Sequence, residues 1–220
     1  MRKISLSLAI MLVCGFTAFG QAVKDKAIIP VAVNLNQVLR LNVVSGGNIE
    51  FLFATIEDYK NGVNALGALG SAYETNFTVA SSSRWALTYG AETANFIGTD
   101  DGANTLLIDN VGLSLISNTA RPIDIVSTGG SAGSPYKSAS LYNANVSELL
   151  PYPATMLTDN GLVVSSAGDD TDNDFTITWR AGTKEGTAPF LMNAVALIDQ
   201  SPSPNADRYV ANVIFELSSL

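Results

Sequence analysis

The sequence contains no histidine, and its single cysteine, Cys14, lies close to the N-terminus. Without histidine the chain cannot build a Ser-His-Asp or Cys-His catalytic group, or the commonest zinc and copper sites. Catalysis by paired carboxylates, as in glycoside hydrolysis, is compatible with this composition. However, 20 acidic residues bring some pair together by chance in any fold. A glycosidase is therefore the weakest of three hypotheses, and we expect no enzyme.

Charged residues are also scarce, at 15% of the chain, and the N-terminus points to export as the reason. Arg2 and Lys3 precede an apolar run over residues 4–19, and Ala18-Phe19-Gly20 forms an A-x-A-like cleavage site before Gln21; this is the layout of a secretory signal peptide. We therefore expect residues 1–20 to be removed, and the mature chain to be extracellular, on the cell surface or in the periplasm. The alternatives are a membrane anchor, for which the apolar run is short, and lipidation of Cys14, which the bulky residues 11–13 disfavour.

Removal of this leader would leave a mature chain with no cysteine and a strongly acidic balance. Disulfides could not form, so the core and the sheet hydrogen bonds would have to supply the stability. The loss of Arg2 and Lys3 leaves 10 of the 12 basic residues and all 20 acidic residues, which gives a net charge of −10. We therefore expect no nucleic acid partner, no anionic membrane partner and no integral membrane span after the leader.

Alternation of apolar and polar residues recurs along the mature chain and predicts an all-β fold. The alternation is clearest at 209–217, where five apolar side chains share one face, and we expect this strand to lie between two others. The other predicted strands are 27–33, 39–43, 49–53, 75–79, 85–89, 106–108, 111–115, 162–165, 175–179 and 190–198. Their spacing is typical of a β-sandwich or barrel.

Turn signals add connectivity to these strands. Gly-containing and Ser-rich turns predict two hairpins, 39–43 with 49–53 and 75–79 with 85–89. A helical turn is expected at 56–62, ended by Gly62, and one short helix at 141–150, which is best patterned over 145–149. The Ser/Gly-rich stretch 127–135 predicts an exposed loop.

These patterns together predict a single antiparallel β-sandwich domain over 21–220, with roughly ten strands and one short helix. Within it, 27–33 is expected at a sheet edge, because Pro30 has no backbone N–H to contribute to a ladder.

The densest acidic cluster, at 168–174, is a candidate metal site. Asp170, Asp172 and Asp174 stand at alternate positions, the spacing with which a calcium-binding loop begins. The sequence departs from that pattern afterwards, because Phe175 occupies the position of the required glycine. A polar turn between two strands is the favoured interpretation, and calcium at the three aspartates is the alternative. No other cofactor is expected.

Aromatic residues raise the alternative of a sugar-binding platform. Trp85, Trp179, Tyr89 and Tyr209 each stand in phase with the apolar face of their strand, which favours burial in the core. The tyrosines that stand out of phase are better candidates for exposure; they are Tyr59, Tyr73, Tyr136, Tyr142 and Tyr152.

The order of leader, N-terminal apolar strand, hairpins and terminal Tyr209–Leu217 strand after the polar turn 205–208 resembles bacterial fimbrial-subunit-like (pilin-like) secreted proteins. The resemblance implies an immunoglobulin-like sandwich that acts as a structural or adhesive surface protein without catalysis. It also implies that an extended N-terminal strand, here 27–33, leaves its own domain to complete the sheet of a neighbour. Pairing of 27–33 within its own domain is the open alternative.

The leading hypothesis is therefore an exported, non-catalytic structural or adhesive surface protein, in one version a filament subunit. Its partners would be further copies of itself or other surface subunits. The alternative is a carbohydrate-binding or cell-wall-binding module with a glycan partner, which requires solvent-facing aromatic side chains.

Overall fold

The computed structural model describes residues 29–64, 73–119, 146–157, 166–187 and 190–220. Within these ranges the chain is mostly β, with fourteen strands and one short α-helix, α1 (Ile56–Asn61). The strands are β1 (Leu39–Ser45), β2 (Val63–Asn64), β3 (Glu74–Ser81), β4 (Trp85–Ala91), β5 (Asn95–Gly98), β6 (Thr105–Leu107), β7 (Val111–Ser117), β8 (Ser147–Glu148), β9 (Ala154–Leu157), β10 (Asp174–Ala181), β11 (Gly186–Thr187), β12 (Phe190–Leu191), β13 (Tyr209–Val210) and β14 (Val213–Ser219). Every ladder between these strands is antiparallel, which confirms the predicted fold class.

Two sheets pack face to face and give the fold its sandwich-like core. The larger has the strand order β1-β3-β10-β7-β8, with β2 also paired to β10, and the other has the order β14-β4-β9. Aromatic rings from the two sheets pack against each other: the ring centroid of Trp85 on β4 lies 6.0 Å from that of Phe175 on β10. Phe215 on β14 likewise lies 6.1 Å from Phe77 on β3. Two smaller sheets, β13-β5-β6 and β11-β12, complete the described strands.

The core is built from the apolar face of each central strand. The buried side chains on these strands include Phe77, Val79, Trp85, Leu87, Tyr89, Leu113, Leu115, Phe175, Ile177 and Trp179. Apolar side chains at alternate positions of a strand point to the same face, so the alternation predicted these core residues on β3, β4, β7 and β10.

Both predicted hairpins are wrong, although most of their strands exist. β1 pairs with β3, with Leu41 opposite Val79, and residues 49–53 form no ladder. Ile49, Phe51 and Phe53 nevertheless pack half-buried against the core, while the residues between them are exposed. β3 and β4 follow one another in sequence but belong to opposite sheets, so the chain crosses the sandwich between them.

The predicted helical turn at 56–62 is confirmed as α1. Thr55 caps it, because its hydroxyl accepts a hydrogen bond from the Asp58 N–H and the Asp58 carboxylate accepts one from the Thr55 N–H. Gly62 ends the helix at a φ of 78°. The helix predicted at 141–150 is wrong in its described part, because Ser147–Glu148 is strand β8 and pairs with β7.

The predicted final strand is divided into two. β13 pairs with β5, whereas β14 pairs with β4 and is the edge of its sheet among the described strands. The expectation that this strand lies between two others is therefore wrong. A period of two shows which face of a strand is apolar, but it does not show how many neighbours the strand has. The predicted strand at 190–198 is similarly short, because only Phe190–Leu191 pairs and a 3-10 turn follows at Leu197–Asp199.

The chain divides into two units, one ending at Leu35 and one spanning Asn36–Leu220, and every strand named above belongs to the second. No helix in the described ranges is both long enough and apolar enough to cross a membrane. The leader 1–20 with Cys14, the loop 127–135 and the predicted strand 162–165 lie outside the described residues.

Candidate functional site

The segment over residues 29–35 presents an apolar stripe to solvent. Its four large apolar side chains stand at alternate positions and are exposed to unusual extents: Ile29 by 81%, Val31 by 84%, Val33 by 76% and Leu35 by 91%. No ladder among the described strands includes the segment. An extended chain with this pattern presents one wholly apolar face, and such an exposed stripe typically marks an interaction site. The predicted strand at 27–33 is thus described from residue 29 onward, and its donation to a neighbour stays a prediction.

A second incomplete feature is the edge of the sandwich formed by β14. Val213, Phe215 and Leu217 on β14 stand opposite Ala91, Tyr89 and Leu87 on β4 and point to the same core-facing side. The three β4 side chains are no more than 2% exposed, whereas the three on β14 are only half-buried against the core. Side-chain burial therefore decreases from β4 to β14, the strand at this edge.

The β1 edge of the opposing sheet shows the same decline. Leu39 and Leu41 are half-buried, and Val43 is 47% exposed, whereas their β3 partners Ser81, Val79 and Phe77 are buried. The core is thus closed at its centre and open along the β1 and β14 edges. Either edge has the geometry to accept one more strand with an apolar face.

Two carboxylates share an open cleft of about 240 Å³ at the other side of the fold. Burial raises the pKa of Asp109, and burial together with the nearby Asp109 charge raises the pKa of Glu148. The rest of the lining is apolar and includes Leu107 and Leu149. Sequence reasoning missed this pair, because the two residues are adjacent only through the β7–β8 pairing. A carboxylate pair is what the glycosidase hypothesis requires, and glycosidase activity stays a hypothesis.

The acidic cluster at 168–174 forms a turn that satisfies much of its own charge. Asp169 accepts hydrogen bonds from the backbone N–H and the hydroxyl of Thr171, at 2.8 and 2.7 Å. Of the predicted calcium ligands, Asp172 accepts from the Asp169 N–H and Asp174 accepts from the Asn118 amide, while Asp170 is exposed at the tip. No group of three or more acidic, histidine or cysteine residues in the described ranges is placed to hold a metal ion. Calcium at this loop stays a prediction.

A different acidic residue, Asp207, organises the turn at 99–104. Its carboxylate accepts hydrogen bonds from the Asn104 side chain and from the backbone N–H groups of Thr99, Asp100 and Asp101. These donors, with the Asn104 amide as the largest cause, lower the pKa of Asp207 to about 2. The Arg208 N–H also donates to it, so five donors are fixed on one carboxylate. They leave it a structural role, because its lone pairs are already occupied.

The four aromatic residues considered for a sugar-binding platform are buried or half-buried. Trp85 and Trp179 are 0% and 5% exposed, which confirms the interpretation of both as core residues, and Tyr89 is buried with them. Tyr209 is half-buried, as are Tyr59 and Tyr152.

Tyr73, expected to be exposed, is instead buried at 2% exposure, because its ring stacks on Phe51 with the centroids 4.8 Å apart. Tyr136 and Tyr142 lie outside the described residues.

Comparison with known proteins adds no identity to this geometry. No protein-family model and no curated protein matches the chain.

Proposed function

We propose that the chain is an exported, non-catalytic structural subunit that associates with further copies by donating residues 29–35 as a β-strand. The observation that carries the proposal is the 76–91% exposure of four apolar side chains at alternate positions in one segment that belongs to no described strand. A solvated linker does not require apolar side chains at every second position. A strand that covers a core on one side does require this pattern.

The energetics favour association of such a segment. Full burial of each Val, Ile or Leu side chain contributes about 1.5–3 kcal/mol, so four of them offer roughly 6–12 kcal/mol before the costs of ordering and association. The ladder adds main-chain hydrogen bonds, which makes strand addition effective for a short segment. The segment is also matched in length to the edges: β1 and β14 each have seven residues.

The carbohydrate-binding alternative is less well supported. Its strongest residues, Trp85 and Trp179, are in the core, and the Trp179 indole N–H donates to the buried Thr75 hydroxyl rather than to solvent. A sugar platform needs aromatic faces that a ligand can reach.

The experiment compares three chains that begin at residue 21. The first is unaltered. The second carries serine at the four apolar positions, Ile29, Val31, Val33 and Leu35. The matched control carries serine at the interleaved positions, Pro30, Ala32 and Asn34. Light scattering gives the solution mass, and negative-stain images of the same samples show whether fibres form.

We expect oligomers or fibres from the unaltered chain and from the control, and monomers from the second chain. The reason is that only the second chain loses the apolar face, which the control keeps. An unaltered chain that stays monomeric at high concentration, or assembly that survives in the second chain, contradicts the proposed function.

A further inference from the structure

We propose that the acceptor is the edge of β14 that no described strand occupies, in a second copy. Residues 29–35 join it as an antiparallel strand, with Leu35 opposite Val213 and Val33 opposite Phe215. This inference rests on the proposed function. It follows from the directions in which backbone groups and side chains point on the two segments.

The hydrogen bonds at the two ends of β14 fix the direction of its backbone groups. The Glu92 N–H donates to the Asn212 carbonyl, and the Leu220 N–H donates to the Arg84 carbonyl, both toward β4. In an antiparallel strand the N–H and C=O of one residue point to the same side, and successive residues alternate. The even-numbered residues of β14 therefore bond to β4. The odd-numbered residues, 213 to 219, direct their N–H and C=O groups to the free edge.

Those same odd-numbered residues carry the core-facing side chains of β14. Val213, Phe215 and Leu217 stand in register with the buried residues of β4. An antiparallel strand that bonds to them places its own bonded residues directly opposite and on the same face. Its bonded residues would therefore cover the half-exposed side of the core.

The segment 29–35 satisfies this requirement in one way only. Pro30 has no N–H, so the segment keeps all of its donors for a neighbour only if residues 29, 31, 33 and 35 make the bonds. These are also its four apolar positions. Antiparallel pairing thus uses the complete set of donors and buries the apolar face in one arrangement. In a parallel ladder the bonded residues do not face each other, so covering the core would require bonding through Pro30.

The β1 edge is the competing acceptor, and it is less regular. The Ser82 N–H donates to the Val38 carbonyl, so residues 39, 41 and 43 point their backbone groups outward, as the odd-numbered residues of β14 do. A register shift between Val43 and Ser45 then interrupts the strand. β1 therefore offers three regular outward positions, whereas β14 offers four without a shift in its ladder.

The proposed register also matches side chains by size. With Leu35 opposite Val213, Val31 lies opposite Leu217 and Ile29 opposite Ser219, so the small Ser219 side chain leaves room for Ile29. On the outer face, Ala32 then stands opposite Glu216. Such a pair has its Cα atoms about 4.5 Å apart, within the range that a disulfide spans.

Cross-linking between single-cysteine chains tests this geometry. One chain carries Ala32→Cys, and a second, distinguishable by a size tag, carries Glu216→Cys; both begin at residue 21 and so contain no other cysteine. Parallel mixtures replace Glu216→Cys with Ile214→Cys or Ser218→Cys on β14, or with Arg40→Cys on β1. Each mixture is assembled, oxidised under mild conditions and analysed on a non-reducing gel for a band that contains one chain of each size.

We expect the mixed band with Glu216→Cys and several-fold less of it with the other three. A mixed band chiefly with Ile214→Cys or Ser218→Cys overturns the register. A band chiefly with Arg40→Cys, or none from chains that still assemble, overturns β14 as the acceptor and leaves the proposed function standing. Failure of the proposed function is separate, because then either the unaltered chain does not assemble or the chain with serine at Ile29, Val31, Val33 and Leu35 still does.

Discussion

The hydrogen bond between Trp179 and Thr75 joins the two central strands inside the core, and its removal gives a sharp test of the fold. The indole N–H of Trp179 donates to the Thr75 hydroxyl at 2.9 Å, and both residues are 5% exposed. The Thr75 hydroxyl in turn donates to the Gly46 carbonyl at 2.6 Å, which ties the end of β1 to β3. Thr75→Val keeps the shape of the side chain and removes both bonds.

The cost of this change is dominated by the indole. A buried donor left without a partner costs about 1–3 kcal/mol, whereas the half-buried Gly46 carbonyl can turn to water. We therefore expect Thr75→Val to lower the free energy of unfolding by about 1–3 kcal/mol. For a chain of this length that corresponds to a fall in Tm of roughly 2–12 °C.

Urea unfolding of Thr75→Val, Trp179→Phe and the double variant separates the hydrogen bond from the loss of volume. The Trp179→Phe variant has no indole N–H that could lose its partner. Thr75→Val should therefore lower the free energy of unfolding by less in that variant. We expect a coupling free energy of at least about 0.5 kcal/mol between the two changes. Additive losses would refute the reasoning, because they would mean that the indole N–H gains nothing from Thr75.

Three further predictions concern ionised groups and a turn. Asp207→Asn should lower Tm at pH 7 relative to the unaltered chain. The difference in Tm should shrink as the pH falls from about 4 toward 2, because the stabilisation from the depressed pKa of Asp207 is lost as that carboxylate is protonated. Thermal melts over pH 2–7 check this. Glu148→Gln should raise Tm at pH 7, since burial and the nearby Asp109 charge raise the pKa of Glu148 and its charge therefore disfavours the folded state. The gain should fade as the pH falls through about 4.5 and be absent well below it, where Glu148 is neutral in both states; a gain independent of pH would contradict the prediction. Gly62→Ala should cost at least about 1 kcal/mol in urea unfolding, because φ is 78° and the new Cβ would lie 2.3 Å from a backbone carbon of Gly182.

The calcium hypothesis for the 168–174 turn is checked by the same thermal melts. A ligand that binds only the folded state raises Tm, so binding predicts a higher Tm with added calcium than with EDTA. Equal values would remove Asp170, Asp172 and Asp174 as a metal site.

Most of the β-strands could be predicted from sequence, because alternation reports which face of a strand is buried. β3, β7 and β10 follow from that alone, and so does the half-buried face at 49–53, where burial alternates without a ladder. Strand partners could not be predicted from the alternation, because the pairing of β1 with β3 depends on the packing of the whole sandwich. β8 was missed because a two-residue strand has no period to detect.

The candidate site could likewise be predicted only in part from the sequence. The segment 27–33 was predicted as an edge or donor strand from its apolar alternation and Pro30. The open edge at β14 could not be predicted, because alternation does not show how many neighbours a strand has. Asp207 gave no signal beyond a polar turn at 205–208, since its role depends on donors that lie about a hundred residues earlier.

Pro30 also limits what a joined strand can do next. In the proposed arrangement the far side of the donated segment presents Pro30, Ala32 and Asn34, and the first of these offers no N–H to a further strand. A sheet that ends on such a strand is a poor template for lateral growth, the process that turns exposed edges into amyloid. Each copy then has one strand to give and one edge to fill, a head-to-tail relation that lengthens a chain of subunits without widening it.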